Sequence, residues 1–473
     1  GGESYEAGEA GVVRAHFADR GKLRDVADSR FRAIDDDLPV FALAHDFGTL
    51  RGRARSAYWS LGRFESPGAI DYMGEILAPL WSRHWVSWQE MADDFLSDAR
   101  AARARASGLD ESITAAATKA GGPGYAALCA LALRQAYGAC QLVAGPQQQP
   151  WAFLKEISSD DDISTVDIIF ASCAVWLYLD PGHLAMLLEP ILSYADSRDW
   201  TERFAPHGLG TWPRATGNPL GAASEPMPIQ ESGGMLVMLA GYARRDPTRG
   251  RSLLARYEGL LSRWADLVAS ELPVPPRQLT TVDYLGSSKG DVNLGALGIV
   301  ALGATAQIQR HLGEDLKAAR TTERAKALSE RWSRLAMDRS GKHLDTEIGS
   351  GGTWSGMCNA YWDRALQTNL LPARLENIES GWYHSRLDTY GLALRSTWPS
   401  LARVDQQAWI AAWLHGHRLG QDLIDAVVRY VGHTSLRAPF PDNYDPVSGG
   451  PGIRYNWQAR PVVGGVFALL GLT

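Results

Sequence analysis

The chain lacks two features that would point to a membrane or to nucleic acid. A membrane-crossing helix needs about 18 or more consecutive apolar residues, and no stretch approaches that length. Basic side chains are not in excess, because 47 Lys and Arg stand against 53 Asp and Glu for a formal net charge of -6. Since nucleic acids and anionic membranes are bound through Lys and Arg that neutralise phosphate, we expect neither as a partner.

Cysteine and the common cofactor motifs are also scarce. Only four cysteines occur, with no C-x-x-C and no metal-ligand spacing, so we predict buried free thiols. The sequence has no G-x-S-x-G, Walker loop, H-E-x-x-H or helix-opening G-x-G-x-x-G. His415 and His417 lie two apart in a predicted helix and therefore face different directions. We predict neither a metal nor a cofactor.

The first part of the chain has the pattern of β-structure. Residues 1–85 contain short alternating or apolar runs separated by Gly, Pro and Asp. This predicts the C-terminal part of a β-sandwich domain. Because Gly1 is not an initiator Met, we expect a preceding portion of the protein, which could stay associated as a partner.

Residues 86–473 change to a helical period and predict at least ten helices, several of them apolar on every side. Apolar helices alternate with more polar ones, which is typical of inner helices shielded by outer ones. The fold class we predict is mainly α, an (α/α)6 toroid of six helical hairpins that carries the active site. A plain helical bundle or solenoid is the alternative.

In a toroid, the loops that precede the inner helices converge on one cavity, so polar residues in those loops are site candidates. Asp167 stands inside an apolar run, where an acid must be paired, protonated or bound to a ligand, and Glu156 lies in the same loop. His207 and Trp212 lie in a long loop and could position a ligand, or could simply pack in a rigid Ω-loop.

Glu231 is the strongest candidate because it opens an apolar helix. There it could serve only as a first-turn acid that suits the helix dipole. Burial at a cavity would instead raise its pKa and suit it to general acid catalysis. The last loop supplies four further candidates: Asp442, Asp445, Trp457 and Arg460. Trp354 and Asp363 complete the set.

Taken in order, the loops resemble those of the fungal-type glutaminase A family and its bacterial relatives. The resemblance covers about residues 90–473 and rests on "FLKEISSDDDISTVDIIF", "FAPHGLGTWPRATG", "MPIQESGGMLVML", "YWDRALQTNLLP" and "PFPDNYDPVSGG". It implies a six-hairpin toroid behind a β-sandwich domain, a hydrolase of the L-glutaminase type, and a secreted or periplasmic bacterial enzyme. Four loops depart from the family pattern; for example, Val282-Asp283-Tyr284 replaces the usual D-D-F.

Three functions remain open. A glutaminase-like amidohydrolase would use Glu231, Asp445 and Asp167 as catalytic carboxyls, acting on glutamine or a related amide. A glycoside hydrolase would need only two suitably spaced carboxyls to cleave an oligosaccharide. An inactive binding protein would keep the toroid alone. We expect the substrate to be held by the remaining candidates: Glu156, His207, Trp212, Trp354, Asp363, Asp442, Trp457 and Arg460.

Overall fold

The computed structural model describes residues 2–30, 39–65, 68–218, 224–436, 439–452 and 457–472. It divides into two compact units, Gly1–Arg63 and Phe64–Thr473. The sequence boundary at residue 85 stays a prediction that this division does not decide.

Over its described residues, the first unit is a small three-stranded sheet with one helix. Its strands are β1 (Glu3–Glu9), β2 (Val26–Ala27) and β3 (Pro39–His45), and helix α1 (Ala10–Arg20) follows β1 directly. The strand order is β2-β1-β3, with β1 antiparallel to β3 and parallel to β2. The predicted β-sandwich also remains a prediction, and residues 31–38 and 66–67 of that stretch lie outside the described residues.

The second unit is mainly helical. Its helices are α2 (Trp88–Ser97), α3 (Ala99–Gly138), α4 (Val166–Leu179), α5 (Pro181–Ala195), α6 (Pro228–Arg245), α7 (Pro247–Arg256), α8 (Glu258–Ser270), α9 (Val292–Leu312), α10 (Asp315–Ala336), α11 (Ala360–Ala365), α12 (Arg374–His384), α13 (Val404–Trp413), α14 (Arg418–His433) and a final 3₁₀ helix (Pro461–Leu472). Short strands stand between them: β4 (Ile70–Tyr72), β5 (Glu75–Leu77), β6 (Cys140–Ala144), β7 (Pro150–Leu154), β8 (Arg214–Ala215), β9 (Ala402–Arg403) and β10 (Asn443–Tyr444).

Six apolar elements form a closed inner ring: α4, α6, α9, α11, α13 and the final 3₁₀ helix. Each packs against the next in chain order, and the final 3₁₀ helix packs back against α4 to close the ring. The outer helices are amphipathic; α10, for example, buries Ala325 and Trp332 on one face and exposes Arg side chains on the other. This arrangement confirms the predicted mainly α fold and its (α/α)6 toroid.

One helix has the length and composition of a membrane span, and its burial in the protein explains why it is so apolar. Among the described residues, α9 alone is long and apolar enough to cross a bilayer, with a mean hydropathy of 1.3. In the structure 83% of that segment is buried inside the protein. It is a central helix of the toroid, surrounded by α6, α10 and α11.

The last inner element is a 3₁₀ helix, where the apolar pattern predicts an ordinary helix. It lies very close to α4: a Cβ added to Gly465 would stand 2.6 Å from the carbonyl oxygen of Ala171. Only a residue without a side chain allows this approach. The close packing places Arg460, just before the 3₁₀ helix, beside the loops that precede α4.

Candidate active site

A buried His–Glu pair lies at the mouth formed by the N-terminal ends of the inner helices. Glu231 is in the first turn of α6 and is 1% exposed, and its Oε1 lies 2.6 Å from Nδ1 of His207. Backbone hydrogen bonds hold the histidine loop against the segment before α4. The N–H of Val166 donates to the carbonyl of His207 (2.7 Å), and that of Ile163 donates to Gly210 (2.9 Å).

Further carboxylates surround the imidazole on both sides. Asp167, in the first turn of α4, places Oδ1 4.0 Å from Nδ1 of His207. On the other side, Oε2 of Glu225 lies 3.7 Å from Nε2. Asp162 joins this second group, with ligand-type atoms of Asp162, His207 and Glu225 all within 4.8 Å of one another. The structure thus brings Asp167, His207 and Glu231 together.

The electrostatics of the cluster favour retention of protons. Burial raises the pKa of Glu231 to about 8, although the hydrogen bond from His207 opposes this. Burial also raises the pKa of Asp167, and it raises that of Asp162 to about 7. For His207, burial lowers the pKa, but the hydrogen bond to Glu231 and the charges of Glu231, Asp167 and Glu225 outweigh it and raise the pKa well above its usual value. Protons are therefore held in this cluster at neutral pH.

Two buried arginines are committed to acids nearby. Arg460 donates to Oδ2 of Asp442 (3.0 Å) and to Oε1 of Glu156 (3.3 Å). Arg403 makes a bidentate pair with Asp405, through Nε to Oδ1 (3.1 Å) and Nη2 to Oδ2 (2.8 Å). Such pairing is what allows full burial of a guanidinium. Arg460, Asp442 and Glu156 therefore form one buried network beside the His207 cluster.

Two of the predicted tryptophans stand next to these groups. The Lys155 ammonium lies 5.7 Å from the ring centre of Trp212. Trp457 packs edge-on against Tyr284 with ring centres 4.9 Å apart, and the Arg460 guanidinium lies 4.9 Å from the centre of the Trp457 ring. Both indoles are partly exposed, as a contact surface for a substrate requires.

Three other candidates lie in structural positions. Trp354 is 8% exposed and packs against Tyr383, with ring centres 5.9 Å apart. Asp363 accepts from the backbone N–H of Leu370 (2.9 Å) and fixes the loop after α11, at the C-terminal end of that inner element. Asp445 accepts a backbone N–H two residues on (2.8 Å) and closes its own turn. For the described residues, the structure gives no contact between these three side chains and the His207 cluster.

Several site residues were not selected from the sequence. Glu225 sits in a loop of Pro and Ser and has no pattern of its own. Asp283 has a raised pKa because of burial and the nearby charge of Asp167. Arg403 and Asp405 lie at the start of the apolar helix α13, as Glu231 lies at the start of α6. A charged pair at the start of an inner helix is the sequence pattern that could have identified them.

The cluster also offers ligand sets for a cation. Asp167, His207 and Glu231 form one group within 4.8 Å, and Asp162, His207 and Glu225 form another. Both groups include His207, which must be neutral to bind a metal.

Comparison with known proteins agrees with this architecture. Residues 122–470 match the sequence profile of the glutaminase A six helical-hairpin domain, and residues 1–116 match that of a domain of unknown function. Glutaminase A of Aspergillus oryzae is 31% identical over 99% of this chain and 68% of the relative. A probable glutaminase of Arthroderma benhamiae is 25% identical over 100% of this chain and 65% of its own length.

The chain thus spans about two thirds of the length of these relatives. Among solved structures, a mannosylglycerate hydrolase from Thermus thermophilus bound to Tris and D-glycerate superposes with a TM-score of 0.47 at 13% identity. That superposition covers 72% of this chain and 99% of the other.

Proposed function

The chain belongs to the glutaminase A six-helical-hairpin family and is a hydrolase, and from this premise we propose that it cleaves the side-chain amide of L-glutamine or a closely related amide. The observation that carries the proposal is the buried pair of Glu231 and His207, 2.6 Å apart and beside Asp167. It lies at the mouth where the inner helices begin. Amide hydrolysis requires a proton donor for the departing nitrogen and an acceptor for the proton of water.

The roles follow from the surroundings of each group. Water adds to the amide carbon and gives a proton to Asp167, whose buried Oδ1 has no hydrogen-bond partner among the described residues. Glu231, with its raised pKa, donates its proton to the nitrogen as the C–N bond breaks. The products are the carboxylic acid and ammonia. His207 orients the Glu231 carboxyl through the hydrogen bond between Nδ1 and Oε1 (2.6 Å).

Ammonia release from L-glutamine tests this proposal. Glu231→Gln keeps the shape of the side chain but removes the proton, so kcat should fall by roughly 10²-fold or more. Asp167→Asn should cause a loss of similar size. Glu258→Gln is the matched control, because Glu258 is also a first-turn acid, of α8, but lies away from the cluster. The Glu258→Gln variant should keep its activity and lose only a few tenths of a kcal/mol of stability. Equal activity in Glu231→Gln and the control would sink the proposal.

A glycoside hydrolase is the second candidate, and the acid pair Glu231 and Asp442 favours it. Burial raises the pKa of both carboxyls, but the Arg460 guanidinium, 3.0 Å from Asp442, opposes the rise there, so Asp442 is the better base of the two. Trp212 and Trp457 would then contact sugar rings. Sugar release from aryl glycosides or oligosaccharides, without ammonia from glutamine, would establish this alternative. If the protein releases neither sugar nor ammonia, the result would agree with an inactive binding protein.

We also propose that the chain is an exported bacterial enzyme, which the resemblance to exported family members supports. Fractionation of the source cells tests this, because an exported enzyme should be found in the periplasm or the medium. Recovery in the cytosol alone would contradict it.

A further inference from the structure

A cavity of about 700 Å³ lies where the inner helices end, at the base of the toroid, and we call it the base cavity. The inner helices line it with residues of their last turns, such as Leu177 of α4, Arg244 and Arg245 of α6, and Ala365 of α11. Glu231 stands in the first turn of the same α6, so a helix rise of about 1.5 Å per residue places the base cavity roughly 20 Å from the His207 cluster. The base cavity is therefore separate from the site described above.

Positive charge gathers at the base cavity, in a protein whose formal net charge is -6. Five basic side chains line it: Lys119, Arg244, Arg245, Arg364 and His415. Among the described residues its lining contains no Asp or Glu. A neighbouring cavity of about 440 Å³ shares Arg244, adds Arg310 and His311, and again has no acid among its described lining residues. A concave surface with charge of one sign attracts ligands of the opposite sign.

The arginines of the base cavity are held by backbone carbonyls. Arg244 donates to the carbonyl of Ala365 (3.2 Å) and Arg364 to that of Trp413 (2.8 Å), at the ends of α11 and α13. Arg364 also lies 3.9 Å from a carboxylate oxygen of Glu376, whereas Arg244 makes no ion pair within the described part of the chain. Because a guanidinium has five N–H donors, most of those of Arg244 are open to a ligand.

The helix ends offset only part of this positive charge. The C-terminal end of a helix carries about half a negative charge, so α4, α6, α11 and α13 bring roughly two together. Lys119, Arg244, Arg245 and Arg364 bring four positive charges, of which Glu376 offsets one. An excess of about one positive charge remains, and a single carboxylate would balance it.

The buried part of the lining is apolar. Ala174, Trp362 and Leu470 are each at most 2% exposed, whereas the basic side chains are half-buried or exposed. Pockets for small ligands are lined mainly by such side chains and measure roughly 300–1,000 Å³, so the base cavity has a suitable size. A ligand with an acyl or aryl body would remove apolar surface from water there.

We propose that the base cavity binds an amphiphilic carboxylate, a small molecule with an acyl or aryl body and one carboxylate. The carboxylate accepts hydrogen bonds from Arg244 and Arg245 beside Lys119, as carboxylates do from guanidinium groups. The body lies against Trp362 and Leu470. The inference does not depend on the proposed amide hydrolysis, because none of the lining residues belongs to the His207 cluster.

Dodecanoate, kept below its critical micelle concentration, is the probe that tests this site. Isothermal titration calorimetry of the whole chain compares it with dodecyltrimethylammonium, which reverses the charge, and with acetate, which lacks the apolar body. One dodecanoate should bind per chain, at least about tenfold more tightly than either comparison ligand, because only dodecanoate has both the charge and the buried apolar surface.

Substitutions locate the binding to the base cavity. The double variant Arg244→Met and Arg245→Met should weaken dodecanoate by about tenfold or more and should not weaken dodecyltrimethylammonium. Arg320→Met is the matched control, because Arg320 is an exposed helical arginine of α10 that lines neither cavity. Thermal unfolding shows whether the double variant is folded. If it is not, Lys119→Met, at an exposed position of α3, decides, with an expected loss of about threefold or more.

Three results would overturn the inference. The first is equal affinity for dodecanoate and dodecyltrimethylammonium, or a dodecanoate affinity that is the same in the arginine double variant and in Arg320→Met. Either would show adsorption to apolar surface elsewhere. The second is the absence of saturable dodecanoate binding. The third is binding of poly-L-glutamate without binding of dodecanoate, which would assign the basic side chains to an acidic protein partner.

Discussion

Glu379 is a buried acid whose charged form is poorly stabilised by its surroundings. It lies on α12 with no exposed surface, Oε1 accepts the backbone N–H of Leu344 (2.6 Å), and Oε2 has no hydrogen-bond partner among the described residues. Burial raises its pKa to about 7, although the hydrogen bond from the Leu344 N–H opposes this. The neutral acid is therefore the form that suits its surroundings.

This makes stability depend on pH in a defined direction. The folded protein holds the Glu379 proton up to about pH 7, whereas the unfolded chain releases it near the ordinary glutamate pKa of 4.5. The contribution of Glu379 to the free energy of unfolding is thus full below pH 4.5 and is lost as the pH rises through 7. Glu379→Gln resembles the neutral acid, so at pH 8 it should be more stable than the wild type by about 3 kcal/mol. Urea unfolding at pH 4.5 and pH 8 measures this; an equal difference at both values would contradict it.

At the same scale, the sequence identifies some site residues and misses others for physical reasons. Asp167 and Glu231 are visible because each acid interrupts an apolar helix, and burial of such an acid requires a role or a partner. Glu225 is not visible, because its neighbours are ordinary loop residues. Its position beside His207 depends on which loops the assembled ring brings together. Asp445 shows the reverse case, since its sequence context resembles that of Asp442 while its side chain closes a local turn.

Among the elements, the final 3₁₀ helix packs so closely against α4 that there is no room for a side chain at Gly465. The apolar composition of residues 461–472 predicts burial, and Pro461 to Leu470 are buried in the structure. The helix type is not predictable, because it depends on contact with α4 and α13. A Cβ at Gly465 would meet the Ala171 carbonyl oxygen at 2.6 Å and the Asp405 Cβ at 3.0 Å. The alternation of inner and outer helices can be predicted from the helical period of the sequence. The close approach of Gly465 to Ala171 results from closure of the ring and cannot be predicted in this way.

Gly465→Ala should therefore destabilise the protein by roughly 1–3 kcal/mol, because backbone on one side and a site residue on the other must shift. Gly381→Ala in α12 is the matched control, since a Cβ there meets nothing within 4 Å. Replacing that helical glycine should instead stabilise by roughly 0.5–1 kcal/mol. Guanidinium unfolding of the two variants measures the difference. Similar midpoints for both would show that the ring can relax around the extra methyl group.

For the molecule as a whole, residues 68–85 are packed against the loop of the proposed active site. Strand β4 pairs in parallel with β8, through Asp71 with Arg214 and Tyr72 with Ala215. Tyr72 is 7% exposed and its hydroxyl donates to the carbonyl of Pro190 (3.0 Å). Strand β8 belongs to the loop that carries His207, so this pairing supports one half of the proposed catalytic pair.

Two truncated chains test where the catalytic unit begins. Every residue of the proposed site lies after residue 63, so a chain of residues 64–473 should unfold cooperatively and release ammonia within about twofold of the whole chain. A chain of residues 86–473 starts at the boundary predicted from sequence and lacks β4 and β5. Loss of their buried side chains should cost several kcal/mol and loosen the His207 loop, so we expect at least a tenfold drop in kcat. Equal activity of the two chains, with equal unfolding midpoints, would place the boundary at residue 85 instead.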